Sequence, residues 1–558
     1  MFGFLWRSSW RMIILVTAMG TVSGLISAAL VGQINSVLSN QLGTSGLIDR
    51  SLLLHFSGLC VAVILSGFMS HYLSNRLSEK TICELRIQIS RLILNASYPT
   101  LQKLGKSRLL ANLTEDIGKI ADAFLILPEL CVNAAMVAGC LAYLGWLSWR
   151  LALVTSGVVL FGIITYKLLA KLPRKALEQV REEYDHLSRD FRTLIEGIKE
   201  LKLHNSRRVD FMEYSLATSA KSYRRHSVSA FTSYLFANQW VALLFYLMIG
   251  LILFVFPTQG VDHEVISGYL LVFLFMMGPL SRLTESVSTF ASLKIASGKI
   301  QKLGADLQAA NLQEDTIIAP NAWSKFCNLS LQDVTHSFHR EKENRHFVLG
   351  PINLEFKPGE LVFLIGGNGS GKTTLAMLLI GLYYPENGVI KLNDVAVTDA
   401  NRDAYLQNFS VVFSDFHLFD ELFGFDADKV NRQVIDFLER LHLHHKVSVK
   451  NGQFSTLDLS QGQRKRLALL IAYLEDRPFY VFDEWAADQD PEFKGLFYTE
   501  LLPALTAKGK TVLAITHDDR YFHLADRCIK LEEGQITSIE YPGAGNQKIK
   551  PAQFKMGK

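Results

Sequence analysis

Charged residues are scarce in this chain. They make up 20% of its 558 residues, while hydrophobic residues make up 49%, and a soluble protein of this length normally carries more charge. The apolar excess lies almost entirely before residue 291, so it belongs to one part of the chain. The formal net charge is only +4, which argues against nucleic acid as the main partner.

Cysteine pairs with metal-site or redox spacing are also missing. The six cysteines are scattered without a C-x-x-C motif, and three of them fall inside apolar stretches, where cysteine behaves as a small hydrophobe. This pattern argues against a disulfide framework or a zinc site. The apolar run that follows Trp10 is too long for the core of a cleavable signal peptide. We therefore expect the first apolar segment to be retained as a membrane anchor.

Six long apolar stretches account for the hydrophobic excess. A helix needs roughly 20 apolar residues to cross a bilayer core of about 30 Å, and a buried helix of a soluble protein explains one such run but not six. The first and third runs are rich in Gly, Ala, Ser and Thr, which suits close packing of membrane helices. We therefore expect six spans within a lipid bilayer, near residues 11–37, 51–74, 120–146, 151–172, 231–256 and 264–290.

Basic residues fix the expected orientation of these spans. The three short loops between spans hold only Arg50 and Arg150, whereas the two long segments, 75–119 and 173–230, are rich in Lys and Arg. Basic segments stay on the cytoplasmic side of a membrane, so both chain termini are predicted to be cytoplasmic. Apolar residues in the long segments recur three and four apart, which indicates helical extensions of the spans. Their tips are expected to touch a cytoplasmic domain.

A few polar side chains fall within or near the predicted spans. Such groups are costly in a membrane and tend to face a cavity, so they are candidates for a cargo path. Hydrogen bonds between helices explain them equally well. The residues are Glu129, Asn133, Asn238 and Gln239.

A soluble domain follows the membrane part. From about residue 330, short β-rich runs alternate with helical stretches, which predicts a mostly parallel α/β sheet. The membrane part is expected to be an all-α domain of six helices, and the part that follows an α/β domain. The expected divisions are a transmembrane domain at 1–290, a linker at 291–329, the α/β domain at 330–540 and a flexible tail at 541–558.

The motif G-x-x-x-x-G-K-[ST] identifies the chemistry of this domain. It stands between a β-rich run and a helix, which is the context of a phosphate-binding P-loop. Glycines allow backbone N–H groups to close around phosphate oxygens. Lys372 is predicted to pair with the β- and γ-phosphates of ATP, and the Thr373 hydroxyl to ligate Mg²⁺. The residues expected to bind the nucleotide are Gly366, Asn368, Gly369, Ser370, Gly371, Lys372, Thr373 and Thr374.

Two adjacent carboxylates follow an apolar run about 110 residues later. Asp483 and Glu484 end the run FYVF, which predicts a buried strand with acids at its end. Asp483 is expected to hold Mg²⁺, and Glu484 to polarise the water that attacks the γ-phosphate. The expected fold class is therefore an all-α six-helix transmembrane domain followed by an α/β P-loop ATPase domain.

A further string resembles the signature of ATP-binding cassette (ABC) proteins. Residues 459–463, LSQGQ, match L-S-G-G-Q with Gln461 at a glycine position. In that family, the signature of one subunit caps the ATP held by the P-loop of the other. The resemblance therefore implies that Ser460, Gly462 and Gln463 contact a γ-phosphate across a dimer interface.

Other positions extend this resemblance. Residues 487–490, which include Asp490, align with the D-loop of the family, and His517 aligns with the switch histidine that senses the γ-phosphate. Phe338 matches the aromatic residue that stacks on adenine. The family glutamine that reaches Mg²⁺ and the attacking water is replaced by Ser414. A serine is too short for that reach, so Asp415 or a bridging water is expected to substitute.

The order of the domains resembles that of a smaller group within the ABC family. One membrane domain ahead of one ATPase domain resembles half-transporter exporters that work as dimers. The strings GIKELKLHNSRR, VFSDFHLFDELFG, DEWAADQDPEFKGLFYTELLP and THDDRYFHLAD resemble the bacterial cyclic-peptide and siderophore-peptide exporter branch, of syringomycin and pyoverdine type. This implies ATP-driven peptide export across a bacterial inner membrane, with ATP and Mg²⁺ as cofactors and a second copy of the chain as partner.

Other functions share this architecture. A lipid or lipopolysaccharide flippase has the same domain order. A regulatory ABC protein binds ATP without turnover and often lacks the catalytic Glu or the switch His, so Glu484 and His517 favour turnover. An importer subunit is disfavoured because importers usually carry their ATPase on a separate chain.

Overall fold

The computed structural model describes residues 2–41, 50–169, 171–256, 263–309, 326–340, 345–425 and 427–542. By its internal contacts the chain forms two compact units. The helical unit comprises residues up to 94 and residues 106–306, and the α/β unit comprises residues 95–105 and those from 307 onward. Each unit has its own buried apolar core.

Long helices carry the apolar stretches of the helical unit. Short π-helical turns precede two of them, at Asn112–Asp116 and Phe211–Leu216. The helices are α1 (Phe2–Gln41), α2 (Arg50–Asn95), α3 (Tyr98–Leu104, counted with the α/β unit), α4 (Lys106–Ala111), α5 (Ile117–Leu147), α6 (Trp149–Leu169), α7 (Lys171–Glu196), α8 (Ile198–Leu203), α9 (Asn205–Asp210), α10 (Ala217–Phe254) and α11 (His263–Ala309).

Five helical segments in the described part of the chain are long and apolar enough to cross a membrane. The fifth predicted span, 231–256, lies on α10, where the described apolar segment is the shorter Gln239–Phe254. Helix α11 continues to Ala309, so the first part of the expected linker is helical. Residues 310–325 of that linker and 543–558 of the predicted tail lie outside the described residues. The five segments are Trp10–Leu38, Arg50–Asn95, Lys106–Leu147, Trp149–Tyr166 and Val265–Ser286.

Small residues let the first and third apolar segments approach closely. A Cβ atom at Gly24 of α1 would lie 2.3 Å from the carbonyl oxygen of Val132 in α5, and one at Gly139 would lie 2.6 Å from Cβ of Ala28. A larger side chain at either position would force the two helices apart. This agrees with the packing role that the small-residue content of both segments predicts.

Polar groups of the helical unit are engaged with one another. The Asn133 amide donates to the carbonyl oxygen of Glu129 at 2.7 Å, and Arg282 Nε lies 3.6 Å from Glu129 Oε1. Gln239 is exposed, and the side chain of Asn238 lies outside the described residues. Bonds within and between helices therefore explain Glu129 and Asn133 without a cargo.

Strands and short helices make up the α/β unit. The strands are β1 (Leu329–Arg340), β2 (Arg345–Phe356), β3 (Leu361–Ile365), β4 (Asn387–Leu392), β5 (Val395–Ala396), β6 (Phe409–Val412), β7 (Val449–Lys450), β8 (Gln453–Phe454), β9 (Phe479–Asp483), β10 (Thr511–Ile515), β11 (Arg527–Glu532) and β12 (Gln535–Glu540). The helices are α12 (Lys372–Leu379), α13 (Arg402–Leu406), α14 (Ala427–Arg440), α15 (Gln461–Glu475), α16 (Pro491–Leu496) and α17 (Leu502–Ala507).

The central sheet has six strands in the order β12-β11-β3-β10-β9-β6. All its pairings are parallel except that of β11 with β12, as the alternation of strands and helices predicts. A second, antiparallel sheet has the order β2-β1-β4-β5. Because β3, β10, β9 and β6 run in one direction, the residues that follow them meet at one edge of the sheet.

Helix α3 packs within the α/β unit. The hydroxyl of Tyr383 donates to Oε1 of Gln102 at 2.8 Å, and the rings of Tyr98 and Tyr383 are 6.0 Å apart. Tyr383 in turn stacks on His336 of β1 with ring centroids 5.1 Å apart. The tip of the first long basic segment therefore contacts the unit that carries the phosphate-binding motif.

Candidate functional site

The phosphate loop joins β3 to α12. Gly366 has φ +151°, and a Cβ atom there would lie 2.1 Å from the carbonyl oxygen of Leu531. Gly371 has φ +101°, and a Cβ atom there would lie 2.9 Å from the ring of Phe347. Only glycine fits both positions. The motif is therefore required by the conformation of the loop as well as by its ligand.

Lys372 begins α12 and lies inside this loop. Its side chain is buried, with 6% of the residue exposed, and Nζ donates to the carbonyl oxygens of Gly366 and Gly367 at 2.9 Å each. Burial lowers the pKa of Lys372, and the nearby carboxylates of Glu484 and Asp483 oppose that shift. The ammonium therefore stands at the centre of the loop.

The other residues of the motif surround the lysine. Ser370 Oγ is buried and has no hydrogen-bond partner among the described residues, as expected of a group that awaits a phosphate oxygen. Asn368 and Gly369 are exposed on the loop, and Thr374 is half-buried in the first turn of α12. The loop thus presents donors to an anion, which fits the triphosphate of ATP.

Asp483 ends β9 beside this loop and is 2% exposed. Thr373 Oγ1 and Ser414 Oγ each donate to Asp483 Oδ2 at 3.2 Å. Burial raises the pKa of Asp483, the hydrogen bonds from Ser414 and Thr373 oppose that rise, and the charge of Glu484 adds to it.

These oxygen atoms fit Mg²⁺, which binds one or two carboxylates together with phosphate oxygens. Among the described residues, no cluster of three or more His, Cys, Asp or Glu could hold a metal ion by itself. A magnesium site here would therefore need the phosphates of the bound nucleotide.

Glu484 is the next residue, and its backbone is left-handed, with φ +51°. Its N–H donates to the carbonyl oxygen of Ile515 in β10 at 3.2 Å. Its Oε1 lies 3.4 Å from Nε2 of His517. Both side chains are partly exposed, so they can reach a bound nucleotide. The structure brings the two residues that were predicted to be catalytic into contact.

The signature residues form a second group at the start of α15. Ser460 Oγ accepts from the N–H of Gln463, and the Gln463 side chain accepts from the N–H of Ser460. Such a capping box fixes the first turn of a helix. The carbonyl oxygen of Gly462 accepts from Gln489 Nε2 at 3.0 Å. In the described part of the chain, no hydrogen bond joins these three residues to the phosphate loop.

Asp490 belongs with this second group. It caps α16 by accepting from the N–H of Phe493 at 2.9 Å, and Arg466 Nη2 lies 2.6 Å from its Oδ2. These two contacts hold the pKa of Asp490 below its usual range. Phe338 lies in β1, but its side chain lies outside the described residues, so its adenine contact stays a prediction.

Two family models match the chain. One, described as ABC transporter, matches residues 349–487, and the other, described as ABC transporter transmembrane region, matches residues 10–294. The second covers more than half of the chain. This chain belongs to the ABC transporter family.

Similarity to two named proteins supports this family assignment. The ATP-binding protein SyrD of Pseudomonas syringae pv. syringae is 36% identical over 543 residues, which are 96% of this chain and 95% of that protein. An ATP-dependent lipid A-core flippase of Burkholderia orbicola (strain AU 1054) is 24% identical over 550 residues, 94% of this chain and 89% of that protein.

A solved structure shows the same fold. The bacterial Atm1-family ABC exporter with ATP bound matches 96% of this chain and 95% of its own length, with a TM-score of 0.72 and 17% identity. The predicted fold class is confirmed: a helical transmembrane domain is followed by an ABC ATPase domain. The chain is an ATP-hydrolysing ABC transporter.

One buried charge in this transporter, the ammonium of Lys465, was not predicted from the sequence. Lys465 is 2% exposed and contacts both the Glu484 backbone and Asp488. A helical period places it on the same face of α15 as Leu469 and Ala472, which are both buried. A lysine on the core face of a helix needs a buried acceptor. The spacing of Lys465 relative to the apolar residues of α15 could therefore have predicted that it is buried and paired.

Ser414 contacts the predicted magnesium ligand Asp483 by a hydrogen bond. The length argument predicts that the serine does not do the work of the family glutamine and that Asp415 or a bridging water substitutes. Both Ser414 and Asp415 are exposed, and the Ser414 hydroxyl donates to Asp483. We therefore expect Ser414→Ala to lower ATP turnover and raise the Mg²⁺ concentration needed for half-maximal rate by about 3- to 10-fold, the scale of one ordinary hydrogen bond. Magnesium titration of the ATPase rate measures this. Asp415→Ala is the control, and a larger effect of that variant would restore the sequence-based prediction.

Burial of the Asp483 carboxylate makes a prediction about stability. Because its pKa is raised, ionisation destabilises the nucleotide-free fold, and this cost grows as pH rises through the interval between the ordinary aspartate pKa and the raised one. Asp483→Asn should therefore stabilise the nucleotide-free protein at pH 7.5 by about 1 kcal/mol or more, the scale of a buried polar group. The gain should shrink toward about pH 4.

Thermal unfolding in detergent, without nucleotide or Mg²⁺, measures this stability. The exposed Asp394→Asn is the control, since it removes the same charge from the surface. A stabilisation that does not change with pH would contradict the assigned cause.

Proposed function

We propose that this exporter uses ATP to move a peptide, of cyclic or siderophore type, across the bacterial inner membrane by alternating access, with both termini in the cytoplasm. The observation that carries the proposal is the resemblance of four long strings to the cyclic-peptide exporter branch. The higher identity to SyrD, 36% against 24% for the flippase, supports it over nearly the full chain.

The site supports a mechanism for the ATPase step. The P-loop amides and Lys372 bind the β- and γ-phosphates. Thr373 and Asp483 would hold Mg²⁺, which would supply positive charge against the charge that develops on the phosphate oxygens. The Ser414 hydroxyl orients the Asp483 carboxylate by a hydrogen bond of 3.2 Å. Glu484 orients and deprotonates the attacking water, and His517, 3.4 Å from Glu484 Oε1, reports on the γ-phosphate.

The arrangement also supports a homodimer. In the described part of the chain, Ser460, Gly462 and Gln463 bond to one another and to the D-loop and not to the phosphate loop. An N-terminal helix turn with exposed Ser460 is suited to bind a phosphate presented by another subunit. One phosphate loop and one signature per chain give two complete sites in a two-fold dimer.

A lipid A-core flippase is the second candidate. The observation in its favour is 24% identity over 94% of the chain with proteins of that name. Both candidates use the same ATPase, so only the cargo separates them.

Transport of a defined cargo tests the proposal. Inside-out vesicles with the wild-type protein should take up a fluorescently labelled cyclic lipopeptide when ATP and Mg²⁺ are added. Glu484→Gln should bind ATP but lower turnover and uptake by a factor of about 10² or more, because it removes the general base. Labelled lipid A-core is the comparison cargo. Uptake of that lipid without the peptide would favour the flippase, and normal ATPase activity of Glu484→Gln would remove the base assignment.

A mixed dimer tests whether sites are shared between subunits. Lys372→Ala and Ser460→Arg homodimers each carry a lesion in both sites and should trap no nucleotide. In a dimer with one copy of each variant, both lesions fall in the same shared site and the other site is intact. The doubly tagged mixed dimer should then trap about one nucleotide, half of the wild-type amount. Trapping of none would mean that each site is built within one subunit.

A further inference from the structure

Lys465 places a positive charge inside the α/β unit. The residue is 2% exposed, and a buried ammonium is tolerated only where acceptors surround it. Nζ donates to the carbonyl oxygen of Glu484 at 2.9 Å and lies 2.7 Å from Oδ2 of Asp488. The Lys465 carbonyl oxygen accepts from Nε1 of the buried Trp485 at 2.8 Å. Lys465 thus contacts Glu484, Trp485 and Asp488.

The backbone of Glu484 needs such a contact. It is left-handed, a conformation that costs a residue with a side chain roughly 1 kcal/mol or more. Its N–H is bonded to Ile515 of β10, and its carbonyl oxygen is bonded to Lys465. The peptide groups on both sides of the Cα atom are therefore fixed. The direction of the side chain toward His517 follows from this.

The same lysine belongs to the signature helix. Lys465 lies five residues after Ser460, within the second turn of α15. In the shared-site dimer, Ser460 serves the ATP of one site and Glu484 the ATP of the other. A movement of α15 when Ser460 meets the partner's nucleotide would thus displace the carbonyl oxygen of Glu484.

We propose that Lys465 is a positioning residue for hydrolysis: its ammonium holds the backbone of Glu484 and ties the geometry of the general base to the signature helix. The proposal rests on the assignment of Glu484 as the base. It gives a function to a buried charge that the nucleotide site itself does not use. It also predicts that the loss of Lys465 affects turnover and not ATP binding.

The chain contains a matched control for this lysine. Lys510 Nζ donates to the carbonyl oxygen of Asp476 at 2.9 Å and lies 2.9 Å from Asp476 Oδ1. Asp476 is also left-handed, with φ +48°. Lys510 therefore makes the same pair of contacts, a carbonyl oxygen of a left-handed residue and a carboxylate, at the opposite end of α15. Lys510 is less buried, with 18% of its side chain exposed against 3% for Lys465, so it controls for the loss of these two contacts, and a second variant at Lys465 itself controls for burial.

The first experiment compares Lys465→Met with Lys510→Met in the full-length protein. We expect Lys465→Met to lower kcat at saturating ATP by about 10-fold or more, because a misplaced base costs up to about 100-fold. The KM for ATP should stay within about twofold of wild type, since the phosphate loop is unchanged. Lys510→Met should leave kcat within about twofold. Equal kcat values in the two variants would overturn the proposal.

A second variant separates the hydrogen bond from the charge. Lys465→Gln loses the charge, as Met does, but keeps a donor that can bond the Glu484 carbonyl oxygen. We expect its kcat to lie several-fold above that of Lys465→Met and about threefold below wild type, the scale of a weakened hydrogen bond. Equal losses in Gln and Met would contradict the backbone contact.

A double-variant cycle isolates the route through Glu484. In the Glu484→Gln background, Lys465→Met should lower the residual single-turnover rate by less than about twofold, because there is no longer a base to position. A full further loss in that background would show that Lys465 acts elsewhere. Should Lys465→Met fail to fold, Lys465→Gln carries this cycle alone: its kcat loss must vanish in the Glu484→Gln background.

The outcomes also separate this proposal from the assignment of the base. If Glu484→Gln alone keeps normal turnover, the base is another group and both proposals fall. If Glu484→Gln is inactive while Lys465→Met matches Lys510→Met, only the positioning role falls.

Discussion

Parallel pairing of β3, β10, β9 and β6 is the constraint on which the ATPase site depends. The phosphate loop follows β3, His517 follows β10, Asp483 and Glu484 follow β9, and Ser414 follows β6. The register aligns Ile515 with Asp483, so the ends of neighbouring strands lie level. Residues about 150 positions apart in sequence therefore meet at this edge of the sheet.

Buried charges make this edge sensitive to its ligands. Lys372 and Asp483 are both almost fully buried, and their pKa values are shifted toward the neutral forms by burial. Each charge alone is costly in such surroundings. The phosphates of a nucleotide would bring negative charge to Lys372, and a divalent cation would bring positive charge to Asp483, in addition to the carbonyl and hydroxyl groups that bond them. Binding is therefore coupled to the electrostatic balance of the site.

Much of this site could be predicted from the sequence because its motifs contain residues that the backbone conformation requires. Gly366 and Gly371 lie where a Cβ atom would collide with neighbouring atoms. Asp483 directly follows the apolar run FYVF, which predicts a carboxylate at the end of a buried strand. Two contacts of the site could not be predicted from the sequence. Ser414 reaches Asp483 because β6 pairs with β9, and strand order cannot be deduced from side-chain length. The contact of Lys465 with the Glu484 carbonyl oxygen depends on the turn after β9, whose left-handed residue no pattern marks.

In the helical unit as well, local features could be predicted from the sequence and tertiary features could not. Hydrophobic length predicts the spans, and small residues predict the close approach of α1 and α5, because both are local properties of the chain. The grouping of residues 95–105 with the α/β unit is a tertiary property. Helix α3 stands in sequence between two helices of the helical unit, yet Gln102 accepts from Tyr383, which stacks on His336 of β1.

The partners of α3 lie on the strand that also carries Phe338. His336 is two residues before Phe338 in β1, and this part of β1 is paired with β2. Tyr383, which stacks on His336, donates to Gln102, seven residues after the end of α2 at Asn95. Because the ring stack and the hydrogen bond join residues more than 230 positions apart in sequence, no local pattern around residues 95–105 could have predicted that α3 packs within the α/β unit.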